Sequence, residues 1–146
     1  MSSAKKVLVV DDHQLFAEGL KMTLSNRGYQ LFARSSTKEA LSFLANDSVD
    51  LVLLDLNLPG EGGLSFLARL KEREQLLPIL VLSASEDRSD IEQAMEMGAR
   101  GYISKSANGD QLQEAINRVL KGFTYLPADF RSMPSYQDRA KAMGIT

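Results

Sequence analysis

Residues 51–60, LVLLDLNLPG, decide the fold. Four apolar residues run without alternation, an aspartate closes them, and Pro59-Gly60 turns the chain. An unalternating Val/Leu run suits a strand buried on both faces of a parallel sheet, because each face then needs an apolar side chain. Working outward, similar runs lie at Val7 to Val10 and Ile79 to Leu82, with a weaker one around Tyr102-Ile103. A fifth candidate, Tyr29 to Ala33, mixes polar and apolar residues and so belongs towards an edge. The intervening segments carry helical periodicity. The clearest is Asn108 to Lys121, with Leu112, Ala115, Ile116, Val119 and Leu120 on one face and Gly122 as a stop. Leu15, Phe16, Leu20 and Leu24 mark a helix after the first strand, and Ser36 to Glu39 reads as a capping box opening the next. Leu64, Leu67 and Leu70 mark a third, and Ile91, Ala94 and Met95 a fourth. Strand and helix thus alternate five times. That order predicts an α/β fold, an open doubly wound parallel sheet with right-handed crossovers; five units are too few for an eightfold barrel.

Composition narrows the function. The chain has 146 residues, 17 Lys and Arg against 19 Asp and Glu, one His and no Cys. The length fits one domain. Without cysteine there is no disulfide framework, thiol nucleophile or Cys-ligated zinc site, and one histidine cannot build a multi-His metal centre. A net charge of −2 argues against a surface made for polyanions. No apolar run nears the roughly 18 residues that span a bilayer, and no signal sequence is evident. These features predict a soluble, cytoplasmic protein.

In open α/β sheets ligands bind beyond the carboxyl ends of the strands. The residues following the runs are therefore the candidates: Asp11 and Asp12 after the first, Asp55 after the third, Ser83 after the fourth and Lys105 after the fifth. Singly, each has an ordinary explanation as a helix cap, a turn former or a solvated charge. Jointly they would place three carboxylates in one crevice, and clustered carboxylates need a cation to stay ionised together. Three carboxylates, one ammonium and one divalent ion sum to neutrality. Hard oxygen donors suit Mg²⁺, which commonly shares its sphere with a phosphate. A neutral crevice of this kind can accept a phosphoryl group, and a carboxylate can be its nucleophile. Asp55, at the centre, is the best candidate.

The segments LVVDDH, LVLLDLNLPG, ILVLSAS and GYISKS, in this order and spacing, make the chain resemble the receiver domain of two-component response regulators from about Lys5 to Leu126, which implies a receiver domain at residues 1–126. The start VLVVDDHQLFAEGL is similar to the LuxR/NarL-type subfamily. The resemblance implies a flavodoxin-like sheet of strand order 2-1-3-4-5 with five helices. It implies that Asp55 is the phospho-acceptor. Mg²⁺ would be held by Asp12, Asp55 and the backbone carbonyl of Asn57, with Asp11 acting through water. Lys105 would pair with the acids and then with the phosphoryl group. Ser83 would bond a phosphoryl oxygen, and Tyr102 would be the aromatic switch turning inward behind it. Asn57 and Ser85 would tune hydrolysis of the phosphate. Many receivers have Pro after the lysine, with a cis bond; here Ser106 follows, where a cis bond would cost about 3 kcal/mol.

The implied function is a phosphorylation-activated switch charged by a sensor histidine kinase, not a turnover enzyme. Its surface on the fourth and fifth helices would respond and could carry a homodimer, with no membrane involved. A haloacid-dehalogenase-type hydrolase is the competing enzyme, but its nucleophile follows the first strand in a D-x-D pattern, whereas Asp11 and Asp12 are adjacent. A flavodoxin-like carrier would need a Ser/Thr/Gly-rich phosphate loop after Val10, and none is present. A stand-alone or phosphorylation-independent receiver, acting as a protein-interaction module, is the remaining alternative. His13, a candidate phosphohistidine or ligand, starts the first helix beside two acids and reads rather as a surface residue; Gly98, Gly101 and Gly109 read as turn and cap glycines. Residues 127–146, with Pro127 and Pro134, read as a linker or tail. It would lead to a helix-turn-helix output domain, absent from this chain, through which DNA would be bound.

Overall fold

A computed structural model describes residues 4–58, 62–73, 77–84 and 87–127. The elements run β1 (Lys5–Val10), α1 (Gln14–Ser25), β2 (Tyr29–Arg34), α2 (Thr37–Asn46), β3 (Leu51–Asp55), α3 (Gly62–Glu72), β4 (Ile79–Ser83), α4 (Arg88–Glu96), β5 (Gly101–Ser104) and α5 (Gly109–Leu120). All neighbouring strands pair in parallel, in the order β2-β1-β3-β4-β5. This is the order expected, with the mixed strand β2 at an edge.

The unalternating runs are explained by two apolar layers. Val7, Val9, Leu51, Leu53, Leu80, Leu82 and Ile103 face α1 and α5. Leu8, Val10, Val52, Leu54, Ile79, Val81 and Tyr102 face α2, α3 and α4. Successive strand residues point to opposite faces, so a strand covered on both sides must be apolar at each position. All five residues of β3 are buried, Asp55 included.

Several local expectations are corrected. Leu15 does not join the core stripe of α1: it is 85% exposed, and Ala17, Leu20 and Leu24 make the buried face. The box at Ser36 is half formed. Ser36 Oγ accepts from Glu39 N–H at 3.1 Å, but the Glu39 carboxylate accepts from Ser35 instead of the cap residue. The complete box opens α5, where Asn108 and Gln111 satisfy one another's N–H groups at 2.8 and 2.9 Å. Gly101 is neither turn nor cap but the first residue of β5, where a Cβ would meet Leu80 Cδ1 at 2.8 Å and the Tyr125 carbonyl at 2.9 Å. Gly109 is the first residue of α5, crowded by the Arg27 guanidinium.

The chain beyond α5 returns to the sheet. Tyr125 bridges to Gly101, and Leu126 is buried among the α2–α4 layer. The expected linker, 127–146, lies outside the described residues apart from Pro127. Among the described residues, no helix is long and apolar enough to cross a membrane.

Candidate functional site

The register of the sheet brings the candidate residues to one end. Val10 pairs with Leu54, so Asp11 and Asp55 each stand one step beyond a matched pair. Asp55 is level with Leu82, and Ser83 with Ser104, which puts Ser83 and Lys105 on the same rim. Backbone bonds across the sheet hold this rim: Asp11 N–H donates to the Arg34 carbonyl at 3.0 Å, and Lys105 N–H to the Ser83 carbonyl at 2.9 Å. The Lys105–Ser106 peptide bond is trans.

Each buried aspartate divides its oxygens between the loop and the crevice. Asp11 Oδ1 accepts from the His13 N–H at 2.8 Å, and Asp55 Oδ1 accepts from the Asn57 N–H at 3.0 Å. These are the local turn bonds an aspartate makes after a strand. The ordinary explanation is thus correct for one oxygen of each. The other oxygens meet Lys105, whose Nζ is 2.9 Å from Asp11 Oδ2 and 3.2 Å from Asp55 Oδ2. The first of these is a charge contact without hydrogen-bond alignment, leaving Asp11 Oδ2 buried and without a directed donor. The ammonium also lies 4.8 Å from the centre of the Phe16 ring, which supports its stem and favours a cation on its face.

Asp11, Asp12, His13 and Asp55 each offer one ligand atom, all within 4.8 Å of one another. Asp11 and Asp55 form a buried floor, while Asp12 and His13 stand at an exposed mouth. Three carboxylates and an imidazole nitrogen that converge in this way are a donor set that fits a divalent cation. Ser83 is buried at the rim. Tyr102 is fully buried on the α2–α4 side. Asn57 is exposed two residues beyond Asp55, and Ser85 lies outside the described residues.

Two neighbours of the site stand closer to it than their sequence suggests. His13 is 63% exposed, as a surface residue would be, yet its Nδ1 lies 3.0 Å from Asp11 Oδ1 and 3.1 Å from Lys105 Nζ. Its position directly after the acid pair was the available signal. Gly63, the second residue of α3, packs so tightly against the end of β3 that a Cβ would stand 2.6 Å from the Asp55 carbonyl oxygen. No local pattern announces that approach.

Residues 7–117 match the family described as the response regulator receiver domain. The glycerol metabolism activator of Pseudomonas putida is 37% identical over 127 residues, which cover 85% of this chain and 58% of that protein. The chain therefore spans less than two thirds of that relative. A solved two-component response regulator of the LuxR family from an Aurantimonas species superposes with a TM-score of 0.84 at 27% identity, over 94% of this chain and 99% of that one. A LuxR family DNA-binding response regulator from Silicibacter pomeroyi gives a TM-score of 0.75 at 34% identity, over 86% and 98% of the two chains.

Proposed function

The chain belongs to the response regulator receiver domain family, and on that premise we propose that it is a phosphorylation-controlled switch with Asp55 as its acceptor. The observation that carries this reading is the setting of Asp55. It is a buried carboxylate at the end of the central strand, with one oxygen fixed by Asn57 N–H and the other 3.2 Å from an ammonium. Such a group is held in one orientation and partly neutralised before any partner arrives.

The donor is a phosphohistidine of a sensor histidine kinase. An Asp55 carboxylate oxygen forms the new bond to phosphorus, the P–N bond breaks, and the departing imidazole keeps its electron pair and takes up a proton from water. Lys105 exchanges its contact with Asp55 for a phosphoryl oxygen, retaining Asp11. The Ser83 hydroxyl donates to a second phosphoryl oxygen, and Tyr102 packs behind it. Mg²⁺ would be held by Asp12, Asp55 and the Asn57 carbonyl, with Asp11 acting through water, and would neutralise charge on the transferring group. Asn57 and Ser85, two residues along the chain from Asp55 and Ser83, would set the lifetime of the phosphate.

The likeness to two LuxR family regulators supports a transcriptional output. In this reading residues 1–126 are the receiver and residues 127–146 lead towards a helix-turn-helix domain, which alone would contact DNA. The response surfaces on α4 and α5, where a homodimer could form. The switch is cytoplasmic and turns over no substrate.

Incubation with acetyl phosphate and Mg²⁺ tests the reading by intact mass. One phosphoryl group is expected on the wild-type chain and none on Asp55→Asn. Modification persisting in that variant would move the acceptor elsewhere, and an unmodified wild type would favour a phosphorylation-independent interaction module. Sustained phosphate release from many substrates would instead indicate a hydrolase.

A further inference from the structure

His13 Nδ1 is placed where it cannot satisfy its neighbours. It lies 3.0 Å from Asp11 Oδ1, an acceptor, and 3.1 Å from Lys105 Nζ, a donor. Nδ1 either carries a proton, which suits the carboxylate and opposes the ammonium, or presents a lone pair, which does the reverse. Asp12 Oδ1 at 3.7 Å and Asp55 Oδ2 at 3.9 Å complete the surroundings of this nitrogen. A single positive centre among these atoms would receive the nitrogen lone pair and the carboxylate oxygens together. We propose that His13 enters the metal sphere through Nδ1, making this a mixed oxygen and nitrogen site that selects borderline divalent ions such as Zn²⁺, Co²⁺ and Ni²⁺ over Mg²⁺. The inference rests on the reading of the acid cluster as a metal site and extends it.

Three features support it. The ring is not engaged in capping: His13 caps α1 with an extended backbone, φ −87° and ψ 95°, and makes no side-chain cap bond. Its exposure leaves the mouth open to an entering ion. Asp11 also separates its two roles, turning Oδ1 to His13 and Oδ2 to Lys105, so a metal held on the Oδ1 side leaves the pair with Lys105 in place. Carboxylate and carbonyl oxygens suit Mg²⁺, whereas imidazole raises affinity along the first-row series far more than it does for magnesium. A borderline ion held in this way would compete with Mg²⁺ at the acceptor. Availability of such ions would therefore set how readily Asp55 is charged.

The full chain has one histidine, so its imidazole nitrogens give an unambiguous magnetic resonance signal. Zn²⁺ and Mg²⁺ are titrated separately by calorimetry into wild type, His13→Gln and Asp12→Asn, with the imidazole ¹⁵N shifts followed in wild type. Zn²⁺ affinity is expected to fall roughly tenfold or more in His13→Gln, while Mg²⁺ affinity changes by less than about threefold. Zn²⁺ is expected to move the Nδ1 resonance as the site fills. Equal losses for the two ions, or an imidazole unmoved at saturation, would overturn the inference while leaving the receiver reading intact. If neither ion binds wild type, or Asp12→Asn binds both ions as wild type does, the metal reading falls and the role of His13 with it.

Discussion

Lys105 reaches Asp55 across a strand: its Nζ is 3.2 Å from Asp55 Oδ2, although β4 separates β3 from the strand it follows. Strands lie about 4.8 Å apart, so only a long side chain from the rim can span the gap, and the Phe16 ring holds it in place. The ammonium is the charge that lets Asp11 and Asp55 stay buried together. Lys105→Met keeps the stem over Phe16 and removes the charge, and we expect it to cost about 3 kcal/mol, the scale of a buried charge that loses its partner. Mg²⁺ should then raise the melting temperature of the variant more than that of wild type, because a divalent ion replaces the missing charge. Thermal melts with and without MgCl₂ decide this; equal shifts would mean that Lys105 does not balance the acids.

Gly63 and Gly19 form a matched pair of opposite sign. A Cβ on Gly63 would stand 2.6 Å from the Asp55 carbonyl oxygen and 2.7 Å from Leu56 Cα, whereas one on Gly19, inside α1, would meet nothing within 4 Å. Gly63→Ala must push the backbone that carries Asp55 and should destabilise by about 1–3 kcal/mol. It should also slow phosphorylation of Asp55 by acetyl phosphate. Gly19→Ala should stabilise by about 0.5–1 kcal/mol and leave phosphorylation unchanged. Urea unfolding and a phosphorylation time course read both. A tolerated Gly63→Ala would show that α3 does not fix the acceptor.

The strands were legible in the sequence because helices cover both faces of the sheet. That geometry demands a side chain such as Val9 on one face and Val10 on the other, so the run has no polar gap. The acids and Lys105 were legible for a related reason, since a charged residue ending such a run must sit at the rim. What stayed hidden depends on tertiary placement. The backbone bond that turns Asp11 towards His13 N–H is also what brings the imidazole back over the crevice. Gly63 matters through contact with a strand seven residues earlier in the chain than α3 begins. Leu15 is apolar yet faces outward, because it lies five and nine residues from Leu20 and Leu24 and so falls off the stripe that Phe16 shares with them.

Tyr29 ties the edge strand to α5, its hydroxyl donating to Asn117 Oδ1 at 2.6 Å. Burial raises the phenol above its ordinary pKa of 10.0, against a smaller lowering by Arg27. A raised pKa means the folded state holds the proton more tightly than the unfolded chain. This contribution is therefore complete below pH 10.0 and is lost as pH climbs through the raised value. Tyr29→Phe should cost about 1 kcal/mol at neutral pH and should lose less stability than wild type on passing into the alkaline range. Urea midpoints at neutral and alkaline pH measure this. Parallel losses in the two proteins would assign the alkaline transition to other groups.

The loop that presents Lys105 is fastened at both ends. Its start is pinned by Lys105 N–H on the Ser83 carbonyl, and its end by the capping box of Asn108 and Gln111. Between them Ser104 Oγ accepts from Ser106 N–H at 3.1 Å and lies 2.7 Å from Ser106 Oγ, so the turn supplies its own polar partners. Asn108→Ala removes the acceptor for Gln111 N–H and should destabilise by about 1 kcal/mol. Asn108→Asp keeps that acceptor and adds a negative charge at a helix N-terminus, so it should match or exceed wild type. If the cap also steadies Lys105, hydrogen exchange at 105–111 should quicken in Asn108→Ala, while exchange in β1 and β3 keeps its wild-type order. Unchanged exchange at 105–111 would mean the Ser83 contact alone positions the lysine.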